Sequence, residues 1–440
     1  MRIFLAASLL LLLAGCTNYR VVSGGEVKRD RVEEIKIALA EMRGLNFTSE
    51  VPIEVKSKAE MGEYLEASLV RDYGDQELEN LSLAYAKLGL LPQGLDLKAA
   101  LLKVFSDQVV AFYDPKVRKL LLPADLVGGV AVNAVQFLAQ RDIMGEMVLA
   151  HELTHALQEQ HFAIGRKLDL TDNDDRTLAF RCVVEGDALL AGFGTLWGHL
   201  DDEKIEQINA SVVGNLQETR SSLSEDVPAA IMEQLLFQYY GGISFVSRTL
   251  KQKGWRGIDQ IFANPPQSTE QVLHPEKYID KPDPPTLIEL RELSPLFPSE
   301  WEEIENNVLG ELMVRVLFTE YLSEREGKSI AEGWDGDRFI AYRDGDRVAF
   351  VWAAVWDSFV DAKEFAENYE KILSRKNRGQ EMDNFQVYIE QRERKTLVVE
   401  GLGGRQIRKQ IENIWRKMRL KEEAPPKPFS ASPAPSTVPL

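Results

Sequence analysis

The stretch Val148-Leu149-Ala150-His151-Glu152-Leu153-Thr154-His155-Ala156-Leu157 governs the reading of this chain. No Gly or Pro falls between Glu146 and Phe162, and the apolar spacing predicts one helix over 143–162. Residues four apart share a helix face. The imidazoles of His151 and His155 can therefore reach one Zn²⁺, to which His nitrogens bind at ~2.0–2.1 Å. Glu152 lies beside that face, placed to act on a metal-bound water rather than to bind the metal. The chain contains only 5 His, and His151, His155 and His161 all fall within this one helix.

A catalytic zinc keeps three protein ligands and one open position, so a third ligand is required. His161 stands at the spacing of the metzincin pattern HExxHxxGxxH, but Gln158 occupies the place where Gly would turn the chain out of the helix. Leu157-Gln158-Glu159-Gln160 are good helix formers, so the helix continues. His161 then lies about 9 Å along the axis and roughly 120° around from His155, out of reach of the same ion. After the polar breaker Asp172-Asn173-Asp174-Asp175 a second helix is predicted over 176–197, carrying Val183-Val184-Glu185-Gly186-Asp187-Ala188. A carboxylate on an apolar helical face is costly unless paired or bound to metal.

Here the sequence resembles the gluzincins, zinc metallopeptidases whose third ligand is a Glu on a helix following the HExxH helix. The resemblance implies a zincin-like catalytic domain, Zn²⁺ held by His151, His155 and Glu185, and hydrolysis of peptide bonds. Glu152 would take a proton from water and hand it to the leaving amine. Many gluzincins carry Asp four residues after the Glu, hydrogen-bonded to a zinc-bound His. Leu189 stands there in this chain, which leaves Asp187 as the candidate partner.

Downstream, Ser268-Thr269-Glu270-Gln271-Val272-Leu273-His274-Pro275-Glu276-Lys277-Tyr278 resembles a stretch of exported bacterial proteins of gluzincin type. Ser268 or Thr269 can cap a short helix that presents His274. Thermolysin-like enzymes use a His or Tyr beyond the zinc helices to stabilise the oxyanion, which points to His274 as that catalytic residue. Tyr239 and Tyr240 read as packing aromatics. Asp114-Pro115, in a hairpin over 109–122, resembles the place where gluzincins carry the strand that pairs with an extended peptide. Trp334-Asp335-Gly336-Asp337 and the stretch 352–357 read as a turn and a buried strand, and His199 as a helix-terminal residue favoured by the dipole.

The N-terminus, Met1-Arg2 followed by an apolar run to Leu13, reads as a signal peptide over 1–15. Leu13-Ala14-Gly15-Cys16 resembles the bacterial lipobox, which implies lipidation of Cys16, and Thr17 resembles the residue behind the Cys in lipoproteins sent to an outer membrane. No later run is long and apolar enough to span a bilayer, so the expected anchor is lipid alone, at the bacterial cell envelope. The other of the 2 Cys, Cys182, sits in an apolar helical run and reads as a packed small hydrophobe, leaving no disulfide. Lys+Arg 52 against Asp+Glu 69 gives a net charge of −17, which disfavours nucleic acid as a partner.

The expected class is α+β, predominantly helical, with two packed zinc-ligand helices and a small edge sheet. The expected division is a linker and first helix over 16–50, the metallopeptidase domain over 51–280, a small α+β module over 281–420 and a disordered Pro-rich tail over 421–440. Helices are expected at 228–240, 242–253 and 305–324, and a strand pair about Asp344-Gly345-Asp346. The partner class is a peptide or protein substrate. The contrasting reading is an envelope lipoprotein whose zinc is structural and whose working part is the C-terminal module.

Overall fold

The computed structural model describes residues 20–108, 111–124, 141–169, 172–223, 227–297, 300–376, 387–402 and 404–425. The signal segment, Cys16 and the tail beyond 425 lie outside the described residues. In chain order the first elements are the strands β1 (Val22–Ser23) and β2 (Glu26–Val27), helix α1 (Arg29–Arg43), β3 (Ile53–Lys56), α2 (Lys58–Asp72), α3 (Asp75–Leu88) and α4 (Leu97–Gln108). There follow β4 (Phe112–Asp114), β5 (Lys119–Pro123), α5 (Ile143–Phe162), α6 (Ile164–Leu168), α7 (Asp174–Trp197), α8 (Asp202–Leu223), α9 (Ala229–Ala263), α10 (Thr269–Leu273) and α11 (Glu276–Ile279). The remainder comprises β6 (Thr286–Leu290), β7 (Glu302–Asn307), α12 (Gly310–Tyr321), α13 (Glu324–Ala331), β8 (Trp334–Asp344), β9 (Arg347–Trp356), α14 (Phe359–Lys376), β10 (Val387–Arg392), β11 (Lys395–Glu400), α15 (Gly404–Lys417) and β12 (Met418–Glu422). The class is α+β with helix predominant.

The described chain divides into two compact units that interleave in sequence, one from 1–75, 97–168 and 184–217 and the other from 76–96, 169–183 and 218–440. Composition marks serial segments instead. The difference arises because single helices serve both units: α7 gives residues up to 183 to the second and residues from 184 to the first.

In the first unit, β3 runs parallel to β5 and β4 antiparallel to it, so the strand order is β3-β5-β4 with β4 at an edge. Ser57 caps α2 in a capping box with Glu60. Helix α5 packs on α1 and on β4 and β5, and buries Leu149, Leu153, Ala156 and Leu157. Each fully buried Leu contributes roughly 1.5–3 kcal/mol, so this face fixes how the helix is rotated. Residues 29–43 form the first helix expected within 16–50, and it buries Val32, Ile35 and Leu39 in the same unit.

In the second unit, β10-β11-β9-β8-β7 form an antiparallel sheet, and β12 pairs with β6. Trp352, Phe365 and Tyr369 pack together where α14 covers one face. Ile340, Val351, Ile411 and Met418 belong to the apolar cluster on the other. Three expectations are corrected here. Residues 302–307 form β7 rather than the start of a helix over 305–324, and α12 begins only at Gly310. Its first amides are held from outside, since Leu309 N and Gly310 N donate to Asp337 (3.1 and 3.0 Å). Helix α9 continues through Gly241-Gly242, where Phe237 leaves no room for a Cβ on Gly241, and bends instead at Gly254 (φ 65°). Lys421 and Glu422, expected in the tail, pair with Leu287 and Thr286.

Asp175 is fully buried in this unit and accepts from Thr269 N and Oγ1, while Thr269 Oγ1 accepts from Leu312 N (3.2 Å). Gly310 (φ 75°) packs so closely that a Cβ there would lie 1.7 Å from Asp175 Oδ1. Burial pushes the Asp175 carboxyl up to about 8, against the hydrogen bonds from Thr269. The unfolded chain would release that proton near pH ~3.9, so the folded state holds a proton the unfolded state lacks between these values. Stability is then lost as pH rises from ~4 to about 8, by at most ~1.4 kcal/mol per unit. Asp175→Asn is expected to gain on the wild type across that interval and hold its gain above it, read from urea midpoints at pH 5 and pH 9.

Candidate metal centre

Helix α5 starts at a built cap. Asp142 Oδ1 accepts from Gly145 N (3.0 Å), an amide that the first turn leaves open, and Oδ2 accepts from Val21 N (2.9 Å) of the N-terminal segment. It ends where Ala163 takes a left-handed conformation (φ 51°). Between these ends the helix is unbroken, so His151 and His155 share a face and their rings meet edge to face, with centroids 4.7 Å apart. Helix α7 lies close enough for Gly192 to face the backbone of His151.

This brings three donor atoms together. His151 Nε2 lies 3.1 Å from His155 Nε2 and 3.2 Å from Glu185 Oε2, and His155 Nε2 lies 3.7 Å from that same oxygen. Donors on a tetrahedral ion bound at ~2.0–2.1 Å are roughly 3.3 Å apart, so the two imidazoles and the carboxylate fit one Zn²⁺. Burial opposes the charged form of His151, but the hydrogen bond and charge of Glu185, then the charge of Glu152, outweigh it and raise its pKa. A second group among the described residues, Glu270, Asp283 and Asp357, already surrounds a cation: Lys277 Nζ lies 2.6, 3.3 and 3.2 Å from these three carboxylates.

Glu152 is buried, and its Oε2 accepts from the backbone N–H of Tyr113 at 2.7 Å. That N–H projects from the side of β4 away from β5, which no other described strand pairs with, so the strand that borders the site also holds the carboxylate. Asp114 is buried beside it and serves the turn, accepting from Lys116 N, Tyr64 Oη and Arg71 Nη1 at 2.8–2.9 Å.

Behind the ligands runs a polar chain. Gln158 Oε1 lies 3.0 Å from His155 Nδ1, and Gln158 Nε2 donates to Val184 O (3.0 Å) and Asp187 Oδ2 (2.9 Å). Asp187 Oδ1 is 2.9 Å from Arg43 Nε, and neither side chain is more than 1% exposed. The sequence singled out Asp187 and used Gln158 and its neighbours only as helix formers. The available signal was the spacing, since Gln158 stands three residues past His155 on one helix face. Nothing local marks Arg43.

The remaining predicted residues have other engagements. His161 Nε2 bonds to Asn46 O (2.8 Å) at the surface and takes no place in the triad. His274 belongs to the second unit, where Ser268 caps α10 and His274 Nε2 lies 3.0 Å from Glu311. That hydrogen bond, against burial, raises its pKa. Tyr240 packs edge-on against Phe237, and Cys182 is buried. No helix among the described residues is long and apolar enough to cross a membrane.

Residues 297–409 match a family described as a domain of unknown function (DUF8575). The match takes in β7 to β11 of the second unit and none of the metal-centre residues. No curated protein and no solved structure matches the chain.

Proposed function

We propose that this chain is a zinc metallopeptidase of gluzincin type, with zincin-like architecture in its first unit, held at the bacterial envelope by lipid on Cys16. The supporting observation is the approach of His151 Nε2, His155 Nε2 and Glu185 Oε2 to within 3.1–3.7 Å of one another. Bound there, Zn²⁺ would supply Lewis-acid polarisation of the scissile carbonyl and a water of pKa near ~7. Glu152 does the proton work. Tyr113 N–H fixes its Oε2, and Oε1 takes the proton from the attacking water and returns it to the leaving amine. The carboxylate is adjacent to His151 in sequence and buried, so the transfer proceeds away from competing bulk water.

Metal analysis of the full-length protein tests the ligand set. One zinc per chain is expected in the wild type and in His161→Ala, with none retained by His151→Ala, His155→Ala or Glu185→Ala. Zinc lost with His161, or absent from the wild type, would overturn the assignment.

A further inference from the structure

Gln158 lies between the two ligand-bearing helices, and its surroundings fix which way its amide points. The nitrogen faces Val184 O at 3.0 Å and Asp187 Oδ2 at 2.9 Å. Neither group can donate: one is a carbonyl, the other a carboxylate ion-paired with buried Arg43. The donating end of the amide is therefore pinned to α7, one residue before Glu185. Its carbonyl end is left facing His155 Nδ1 at 3.0 Å. A carbonyl oxygen only accepts, so Nδ1 must carry the hydrogen. In a neutral imidazole that leaves the lone pair on Nε2, the atom grouped with His151 Nε2 and Glu185 Oε2.

We propose that Gln158 is a positioning residue that locks His155 in the Nδ1–H tautomer, presenting its Nε2 lone pair to the metal position, with the Arg43–Asp187 pair as the anchor that orients the amide. The consequence for metal binding rests on the zinc reading above; the tautomer is a property of the protein alone. The relay also separates orientation from charge. A carboxylate placed directly on Nδ1 would add negative charge next to the ligand. Here Asp187 reaches the imidazole through a neutral amide, and its own charge is countered by Arg43. His155 is thus aimed without a carboxylate on its Nδ1, in a centre that already contains Glu185 and Glu152.

Two measurements on the full-length protein test this. Long-range ¹H–¹⁵N spectra of the metal-free protein report the tautomer, and competition with a chromogenic chelator reports zinc affinity, in the wild type and in Gln158→Met. The expected result is Nδ1–H at His155 in the wild type, appearance of the Nε2–H form in Gln158→Met, and zinc binding weaker by about 10–100-fold. An Nε2–H tautomer in the wild type overturns the proposal, and it does so even if the variant fails to fold. So does a folded Gln158→Met with unchanged tautomer and zinc affinity. If the wild type binds no zinc, the metallopeptidase reading fails, and the tautomer comparison still decides the role of Gln158.

Discussion

Glu152→Gln is expected to lower peptide-bond hydrolysis by about 10²–10⁴-fold, the range that a positioned general base contributes, with zinc content equal to that of the wild type. The substitution is close to isosteric, and its amide oxygen can still accept from Tyr113 N–H, the contact that places Glu152 at 2.7 Å. What it removes is the capacity to take a proton. Glu152 is also outside the set of donor atoms that approach one another, so metal retention should be indifferent to the change. The check is a quenched-fluorescence peptide library assayed beside metal analysis of the same preparations. Full activity with zinc in place would remove Glu152 from the mechanism. A joint loss of zinc and fold would give it a structural part instead.

Arg43→Ala is expected to destabilise the protein by ~3–5 kcal/mol, the usual result of removing one partner of a buried ion pair. The pair is 2.9 Å apart and both side chains are almost wholly buried, so the Asp187 carboxylate would stay buried with its hydrogen bond from Gln158 but without the guanidinium's charge. Asp187→Ala should cost a similar amount from the other side. Arg43→Met combined with Asp187→Leu should recover most of that stability, because an apolar pair of similar volume often replaces a buried ion pair without loss. Zinc affinity should not recover with it, since Gln158 Nε2 no longer has Asp187 Oδ2 to hold it. Urea unfolding of the two single variants and the double variant reads the first effect, and chelator competition the second. Single variants within ~1 kcal/mol of the wild type would contradict this account.

What the sequence made legible was local. The span of α5, the shared face of His151 and His155, and the exclusion of His161 need only helical geometry and the absence of a breaker. The caps at Ser57 and Ser268 are written in the residues beside them. What escaped depends on partners distant in the chain. Arg43 looks like an ordinary basic residue in the last turn of an amphipathic helix, and only the docking of α1 brings it to Asp187. Glu302–Asn307 carries no strand alternation strong enough to outweigh the helical spacing that follows, and becomes a strand by pairing with β8. The start of α12 has no local cap residue because Asp337 supplies one from another strand. The pairing of Tyr113 N–H with Glu152 likewise exists only once the sheet and helix have met.

That last contact has a bearing on how the protein keeps apart from its own copies. An edge strand displays backbone N–H groups to which a strand of another molecule can join, and exposed edges of this kind seed aggregation. Here β4 is three residues long and lies at the end of the sheet among the described residues, and the outward N–H of Tyr113 is already covered by a carboxylate. A neighbouring chain approaching this edge meets a negative charge and a spent donor in place of an open template. The residue that we assign to proton transfer thus also occupies the outward backbone donor of this edge.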